Sequence, residues 1–552
     1  MLVRLLLLLL SVIGTAFSVP TEKRALPTVQ LDQGTFVGTS DGVASKFLGI
    51  PFGKAPVGDL RFNLPVAVDP YTGTHVATSF GPACPQQAFD FPELSGLAED
   101  ATDFIVNSIF QIIEPSAEDC LSINVVVPAG TKPDAKLPVA RWLQMLTQVA
   151  GGFELGGTSM YDGGVIVKRS IELGEPIVYV SMNYRAIIAY GFLASKEVKE
   201  AGVGNLGLQD QRLALRWVQK YIGAFGGDPT KATIWGESAG AISVALHMVT
   251  NGGNTEGLFR GGFMQSGSPI PVGDITSGQG DYDKLVAETG CSGAADTLQC
   301  LREVPFKTLK AAVDKSPGIF SPQSLKLTWL PRADGKFLPD DPQKLVQQGS
   351  VANVPFVTGD CDDEGTLFSL STLNITTEAG VRDYIVSNYI PGISETDLDQ
   401  LLKAYPADIT QGSPFNTSVL NALTPEFKRL AAMQGDLVFQ APRRFFLQNR
   451  SSKQSTWSFL NKRLKGLPAL GTAHGTDIIN VYGGGDMTDY LVNFVNNLDP
   501  NGKTGISWPK YTTSSPNLLT FLDGVTPLTI TKDNYRVDGF NLLTKLSLEF
   551  PL

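Results

Sequence analysis

Gly236-Glu237-Ser238-Ala239-Gly240 is the segment whose residue types and spacing most clearly fit a chemical task. It has the pattern G-x-S-x-G and lies between an apolar run, Ala232-Thr233-Ile234-Trp235, and a helical pattern from Ala239 to Met248. A sharp turn at such a place pushes a serine hydroxyl out at the carboxyl end of a sheet. Small residues on both sides let the next helix approach closely, and its N-terminus aims backbone N–H groups at developing negative charge. The chemistry implied is attack of a serine oxygen on a carbonyl. It needs a base for the serine proton, a carboxylate to orient the base, and donors for the oxyanion.

The chain has three histidines. His75 lies early, in a Gly/Thr-rich stretch. His247 sits within the helical pattern after Ser238, which carries it ~13 Å along the axis and away from the serine. His474 lies in Gly471-Thr472-Ala473-His474-Gly475, a small-residue loop suited to presenting an imidazole. Elimination and context both choose His474. The carboxylate should fall between serine and histidine in chain order. Gly359-Asp360-Cys361-Asp362-Asp363-Glu364-Gly365 offers four, and position alone leaves Asp360, Asp362, Asp363 and Glu364 in contention. No metal or cofactor is implied.

These groups need a rigid frame. Ile177–Val180, Ala232–Trp235, Val354–Thr358 and Thr456–Leu460 read as strands. Gln209–Ile222 reads as a helix, with Leu213, Trp217 and Tyr221 at four-residue spacing. Such alternation predicts an α/β fold: a central, mostly parallel sheet flanked by helices. A chain of 552 residues can bury a large core, and no Pro/Gly/Ser-rich linker divides it, so residues 19–552 read as one domain. A formal net charge of -10 argues against nucleic acid as a partner.

The first residues have the parts of a signal peptide. Arg4 precedes the apolar run Leu5–Leu10, and Ala16-Phe17-Ser18 is a small-x-small cleavage site, which predicts a leader of 1–18. Lys23-Arg24 offers further processing after Arg24. The apolar run is short for a bilayer span, so the expectation is a secreted, extracellular protein without a stable transmembrane anchor. Five cysteines fit a compartment that permits disulfides, with one left over, although the pairing stays open. Sequons at Asn374, Asn416 and Asn449 are glycosylation candidates. Between Cys84 and Cys120 an acidic stretch precedes an amphipathic helix that carries Ile105, Ile109, Ile112 and Ile113 on one face. It reads either as an ordinary surface helix or as a mobile flap.

Three regions carry a family resemblance. They are Phe225-Gly226-Gly227-Asp228-Pro229 through Gly240, Glu118-Asp119-Cys120-Leu121-Ser122-Ile123-Asn124-Val125, and Phe47-Leu48-Gly49-Ile50-Pro51-Phe52 with Leu60-Arg61-Phe62. From about Phe47 to the C-terminus the sequence resembles the type-B carboxylesterase/lipase family of the α/β-hydrolase fold. Within it the chain is most similar to the fungal secreted lipases and sterol esterases. The resemblance implies Glu364 as the acid, His474 as the base, and Asp477 as an acidic position just beyond it. It implies disulfides Cys84–Cys120 and Cys291–Cys300, with Cys361 an inert buried thiol. It also implies a lid within 85–119, and hence action at a lipid–water interface on long-chain acyl esters. An esterase for small soluble esters is the alternative within the class. A catalytically impaired binding or adhesion member of the fold is the alternative outside it.

The oxyanion hole implied by the family is the N–H of Ala239 together with donors on a glycine-rich turn, which fall on Gly151 and Gly152. Here the sequence departs from the family. The turn reads Ala150-Gly151-Gly152-Phe153, with alanine in place of the first glycine. The segment Ala140–Ala150 is several residues too long, and Arg141, Gln144, Thr147 and Gln148 interrupt what should be a nearly all-apolar buried strand. Either the insert forms a bulge or loop, or a few codons are a translated intron.

Overall fold

The structure is a computed structural model that describes residues 25–88, 97, 100–103, 116–143, 152–154, 156–185 and 189–552. The leader, the isoleucine-rich helix at 105–113, the positions Gln144, Thr147 and Gln148, and Gly151 lie outside the described residues.

Val178-Tyr179-Val180-Ser181-Met182 is buried at every position, the pattern of a strand covered on both faces. It is one of fourteen strands among the described residues: β1 (Thr28–Leu31), β2 (Gln33–Val37), β3 (Thr39–Ser40), β4 (Ala44–Pro51), β5 (Thr72–Val76), β6 (Ser122–Pro128), β7 (Leu137–Trp142), β8 (Val178–Met182), β9 (Gly227–Glu237), β10 (Gly261–Gln265), β11 (Phe356–Cys361), β12 (Thr456–Lys462), β13 (Asn517–Leu522) and β14 (Leu528–Lys532). Eleven form one sheet in the order β14-β13-β12-β11-β10-β9-β7-β8-β6-β4-β3. The centre, from β13 to β8, is parallel throughout. Both margins are antiparallel. Strands β1, β2 and β5 make a separate small sheet, where His75 stacks on Phe36 at 4.5 Å.

Helices cover both faces. On one side Trp142, Trp235, Phe263, Trp457 and Phe459 pack with Ile166 and Val167 of the helix Gly164–Glu172 and with Leu491 and Phe494 of the helix Asp486–Asn497. On the other lie the helices Leu206–Tyr221, Ala239–Val249 and Ala441–Arg450 within the larger core. The sequence-expected strands are present with shifted ends. The Val354–Thr358 run starts its pairing only at Phe356, because Pro355 has no N–H to give the ladder. The Gln209–Ile222 helix begins earlier, at Leu206.

The expectation that Arg141 interrupts the strand before the glycine turn is corrected. β7 runs through Arg141 to Trp142 and pairs with β8 and β9 at both residues. The guanidinium is fully buried, and its Nη1 reaches Leu258 O at 2.8 Å and Leu215 O at 3.4 Å. Disulfides join Cys84 to Cys120 and Cys291 to Cys300, and Cys361 is a buried free thiol. Among the described residues no helix is long and apolar enough to cross a membrane.

Candidate active site

The strand β9 ends at Glu237 and the helix Ala239–Val249 starts two residues later, so Ser238 must make the whole turn. It does so at φ 53° and ψ -123°, a region that costs a non-glycine residue ~1–3 kcal/mol and that the surroundings must hold. Its N–H donates to Gln265 O on β10 at 2.8 Å. Gly236 is required because a Cβ there would lie 2.4 Å from the backbone carbon of Gly240. Ala239 opens the helix, and the first N–H groups of a helix have no intrahelical acceptor.

Three loops at the carboxyl ends of parallel strands then converge. His474 Nε2 lies 2.8 Å from Ser238 Oγ, and His474 Nδ1 lies 2.5 Å from Glu364 Oε2. The other oxygen of Glu364 accepts the Cys361 N–H at 2.6 Å. The four-way ambiguity of the acidic segment is thereby resolved geometrically. Asp360 pairs with Arg443 at 2.8 Å, and Asp362 pairs with Lys462 and Lys465. Asp363 accepts from Phe415 N, Thr472 N and Lys465, which fastens the histidine loop from below. Only Glu364 of the four bonds to the imidazole. His247 is buried in its helix, 2.8 Å from Gln211 Oε1, and His75 bonds Thr72 O on the small sheet.

Burial sets the electrostatics. It pushes His474 down to about 4, which keeps the ring neutral and able to accept the serine proton. It pushes Glu364 up to about 8, opposed by bonds from Ser266 and the Cys361 N–H. Phe368 and Phe439 close on the imidazole, with ring centroids at 5.1 and 4.7 Å. Cys361 is also raised by burial, which leaves it a thiol and a poor nucleophile.

Ser238 borders an apolar pocket lined by Ile319, Leu325, Leu327, Leu330 and Phe439, together with Gly152 and Ala239. Gly152 has φ +47°, and a Cβ on it would lie 2.6 Å from Ile319 Cδ1, so both conformation and space call for glycine. The expected oxyanion donors Gly152 and Ala239 thus come to one place, whereas Gly151 lies outside the described residues.

A sequence model described as the carboxylesterase family matches residues 25–537. The chain belongs to the carboxylesterase family. It is 45% identical to a protein named Lipase 2 of Diutina rugosa, covering 94% of this chain and 96% of that one. It is 40% identical to the secreted triacylglycerol lipase LIP1 of Gibberella zeae, covering 95% and 90%. The crystal structure of Aspergillus niger EstA superposes with a TM-score of 0.81 at 27% identity, covering 96% of this chain and 99% of that one.

In this carboxylesterase-family chain two buried carboxylates flank the catalytic histidine: Asp477, which the resemblance marks as an acidic position, and Glu237, which was not legible as a site residue. Glu237, the last residue of β9, lies 3.5 Å from His474 Nε2, and neither of its oxygens has a hydrogen-bond partner among the described residues. Burial, then the negative charges of Asp477 and Glu364, raise it well above the carboxylate range, so it carries a proton. Asp477 accepts from Gln265 Nε2 at 2.9 Å and is raised to about 6 by burial. Glu237 was in view only as the unspecified second residue of the motif. The apolar wall had no signal in the sequence, because only the fold brings the 319–330 segment and Phe439 together beside Ser238.

Proposed function

We propose that this chain is a secreted serine ester hydrolase acting on long-chain acyl esters, as a lipase or sterol esterase. The observation that carries the reading is His474, held between Ser238 Oγ at 2.8 Å and Glu364 Oε2 at 2.5 Å beside an apolar pocket. The ester carbonyl carbon accepts the serine oxygen while His474 Nε2 takes the serine proton. Negative charge collects on the carbonyl oxygen and is met by the N–H groups of Gly151, Gly152 and Ala239. Glu364 fixes the Nδ1–H tautomer and stabilises the imidazolium. The tetrahedral centre collapses, the C–O bond to the alcohol breaks, and the imidazolium gives its proton to the leaving oxygen. Water then attacks the acyl-enzyme, again losing a proton to His474, and frees the acid and Ser238.

In this reading the acyl chain lies against the apolar pocket lined by Ile319, Leu325 and Leu327. The loop closed by Cys84–Cys120 serves as a lid, with residues 85–119 meeting the lipid surface. Secretion through a leader of 1–18 accords with relatives named as secreted. It also accords with sequons at Asn374 and Asn416, which are exposed, and at Asn449, which is half-buried.

The test is Ser238→Ala, His474→Ala and Glu364→Gln, assayed on a long-chain ester. Each should lose ~10³-fold or more in kcat with an unchanged unfolding transition, and the losses should not add. Near-normal turnover by a folded Glu364→Gln variant would remove that carboxylate from the centre.

A further inference from the structure

Glu154, two residues past Gly152, is buried and takes no part in the chemistry above. Its Oε2 accepts the N–H of Ile319 at 2.7 Å, and Ile319 is the side chain that packs on Gly152. Its Oε1 has no partner among the described residues. Gln87 lies beside it, three residues past Cys84 at the root of the disulfide-closed loop. The Gln87 N–H donates to Glu154 O at 3.3 Å, and Gln87 Nε2 donates to Ser316 O at 2.5 Å. The Gln87 Oε1 is a second buried acceptor without a partner. Both side chains border Gly318, where a Cβ would lie 3.3 Å from Glu154 Oε2 and 3.6 Å from Gln87 Nε2. Two buried orphaned acceptors on neighbouring side chains are costly. A proton on the carboxyl would turn Glu154 into a donor, and Gln87 Oε1 is the orphaned acceptor on the neighbouring side chain that such a donor would serve.

We propose that Glu154 is a positioning residue for the oxyanion turn, bound as the protonated acid between the Ile319 N–H and the Gln87 side-chain carbonyl. In this arrangement one side chain joins three parts that must agree: the turn carrying Gly152, the cavity wall at Ile319, and the root of the loop closed by Cys84–Cys120. The inference rests on the ester-hydrolase reading, since it assigns the turn its use. Burial pushes Glu154 up to about 8, opposed only by the Ile319 bond, with no charged group contributing. Asp314, which leads into the 316–320 wall, is itself paired with Lys310 and accepts the Ala88 N–H. Gln87, Ser316 and Ile319 bring no charge. Loss of the proton above pH 8 therefore leaves a buried anion facing the Gln87 carbonyl oxygen. The clamp should open, and the turn should lose its placement.

The experiment compares the parent, Glu154→Gln and Glu154→Leu on a soluble short-chain ester from pH 6 to 10, with unfolding transitions recorded beside the kinetics. The amide of glutamine keeps an acceptor for Ile319 and gains a donor for Gln87. Glu154→Gln should hold the parent's kcat at pH 7 and lack the parent's fall in kcat above pH 8. Glu154→Leu should lose kcat by ~10²-fold, the scale of one misplaced oxyanion donor, with KM changed about twofold or less. Three results would overturn the proposal: a Gln variant as impaired as the Leu variant, a Leu variant with parental kcat, or the same alkaline limb in parent and Gln variant. If the Leu variant does not fold, the parent and Gln profiles still decide. An inactive parent would instead count against the ester-hydrolase reading.

Discussion

Replacing Arg141 with methionine should stabilise the protein, although arginine sits at the centre of its main sheet. The side chain is fully buried in β7, between β8 and β9. Its Nη1 bonds two carbonyls, while Nε and Nη2 find no acceptor among the described residues. Each buried donor without a partner costs ~1–3 kcal/mol. Burial pushes the guanidinium from its ordinary 12.5 down to about 9, and at ~1.4 kcal/mol per pKa unit the charged form costs about 5 kcal/mol. Methionine forfeits little in return. Leu215 O lies within a helix, and Leu258 O keeps a bond from Gln219 Nε2 at 3.3 Å. The flexible thioether fills most of the space left by the stem. A net gain of ~2–5 kcal/mol, at ~2 cal/mol/K per residue of unfolding entropy, raises Tm by roughly 2–4 °C. The pH dependence gives a second check. A base whose folded pKa lies below its unfolded value destabilises the fold while it is charged. The penalty is full below pH 9 and shrinks as pH rises from about 9 towards 12.5. Differential scanning fluorimetry of parent and Arg141→Met should thus show a constant gap from pH 6 to 8 that narrows above 9. A methionine variant melting below its parent at pH 7 would refute the reasoning, because the guanidinium would then repay its own desolvation.

Asp533 accepts from Arg443, Arg444 and Tyr511 in a fully buried cluster. Asp533→Asn should leave the buried Arg444 without a carboxylate and Arg443 with Asp360 alone, at a cost of ~3–5 kcal/mol read as a lower denaturation midpoint. The His474–Glu364 pair is active with one proton and inactive as a base with two. Burial pushes His474 down and Glu364 up, so the pair sheds its second proton in one macroscopic step, and kcat/KM should climb through that step and flatten above it, which a pH series on Glu154→Gln would show without the alkaline fall. With a lid at 85–119, the rate on a long-chain ester should jump as substrate passes its solubility limit; a smooth hyperbola through that limit would favour small soluble esters instead.

The sequence by itself placed Ser238 on its turn and chose His474 among three histidines, because G-x-S-x-G and a lone loop histidine are local signals. It also placed the parallel strands, whose continuous apolar runs follow from burial on both faces. Four carboxylates in one short segment were not separable by residue type and position, and the family resemblance was needed to prefer Glu364. The tertiary structure separates them by partner: Asp360 to Arg443, Asp362 and Asp363 to lysines, and Glu364 to His474. Arg141 looked like a break in a strand, because its charge is visible in the sequence and the ladder that carries the strand past it is not. The apolar wall from Ile319 to Phe439, the orphaned oxygens of Glu237, and the meeting of Glu154 with Gln87 belong wholly to the tertiary structure. They bring together residues from segments far apart in the chain, and only the packing of helices and loops at the carboxyl edge of the sheet sets the distances between them.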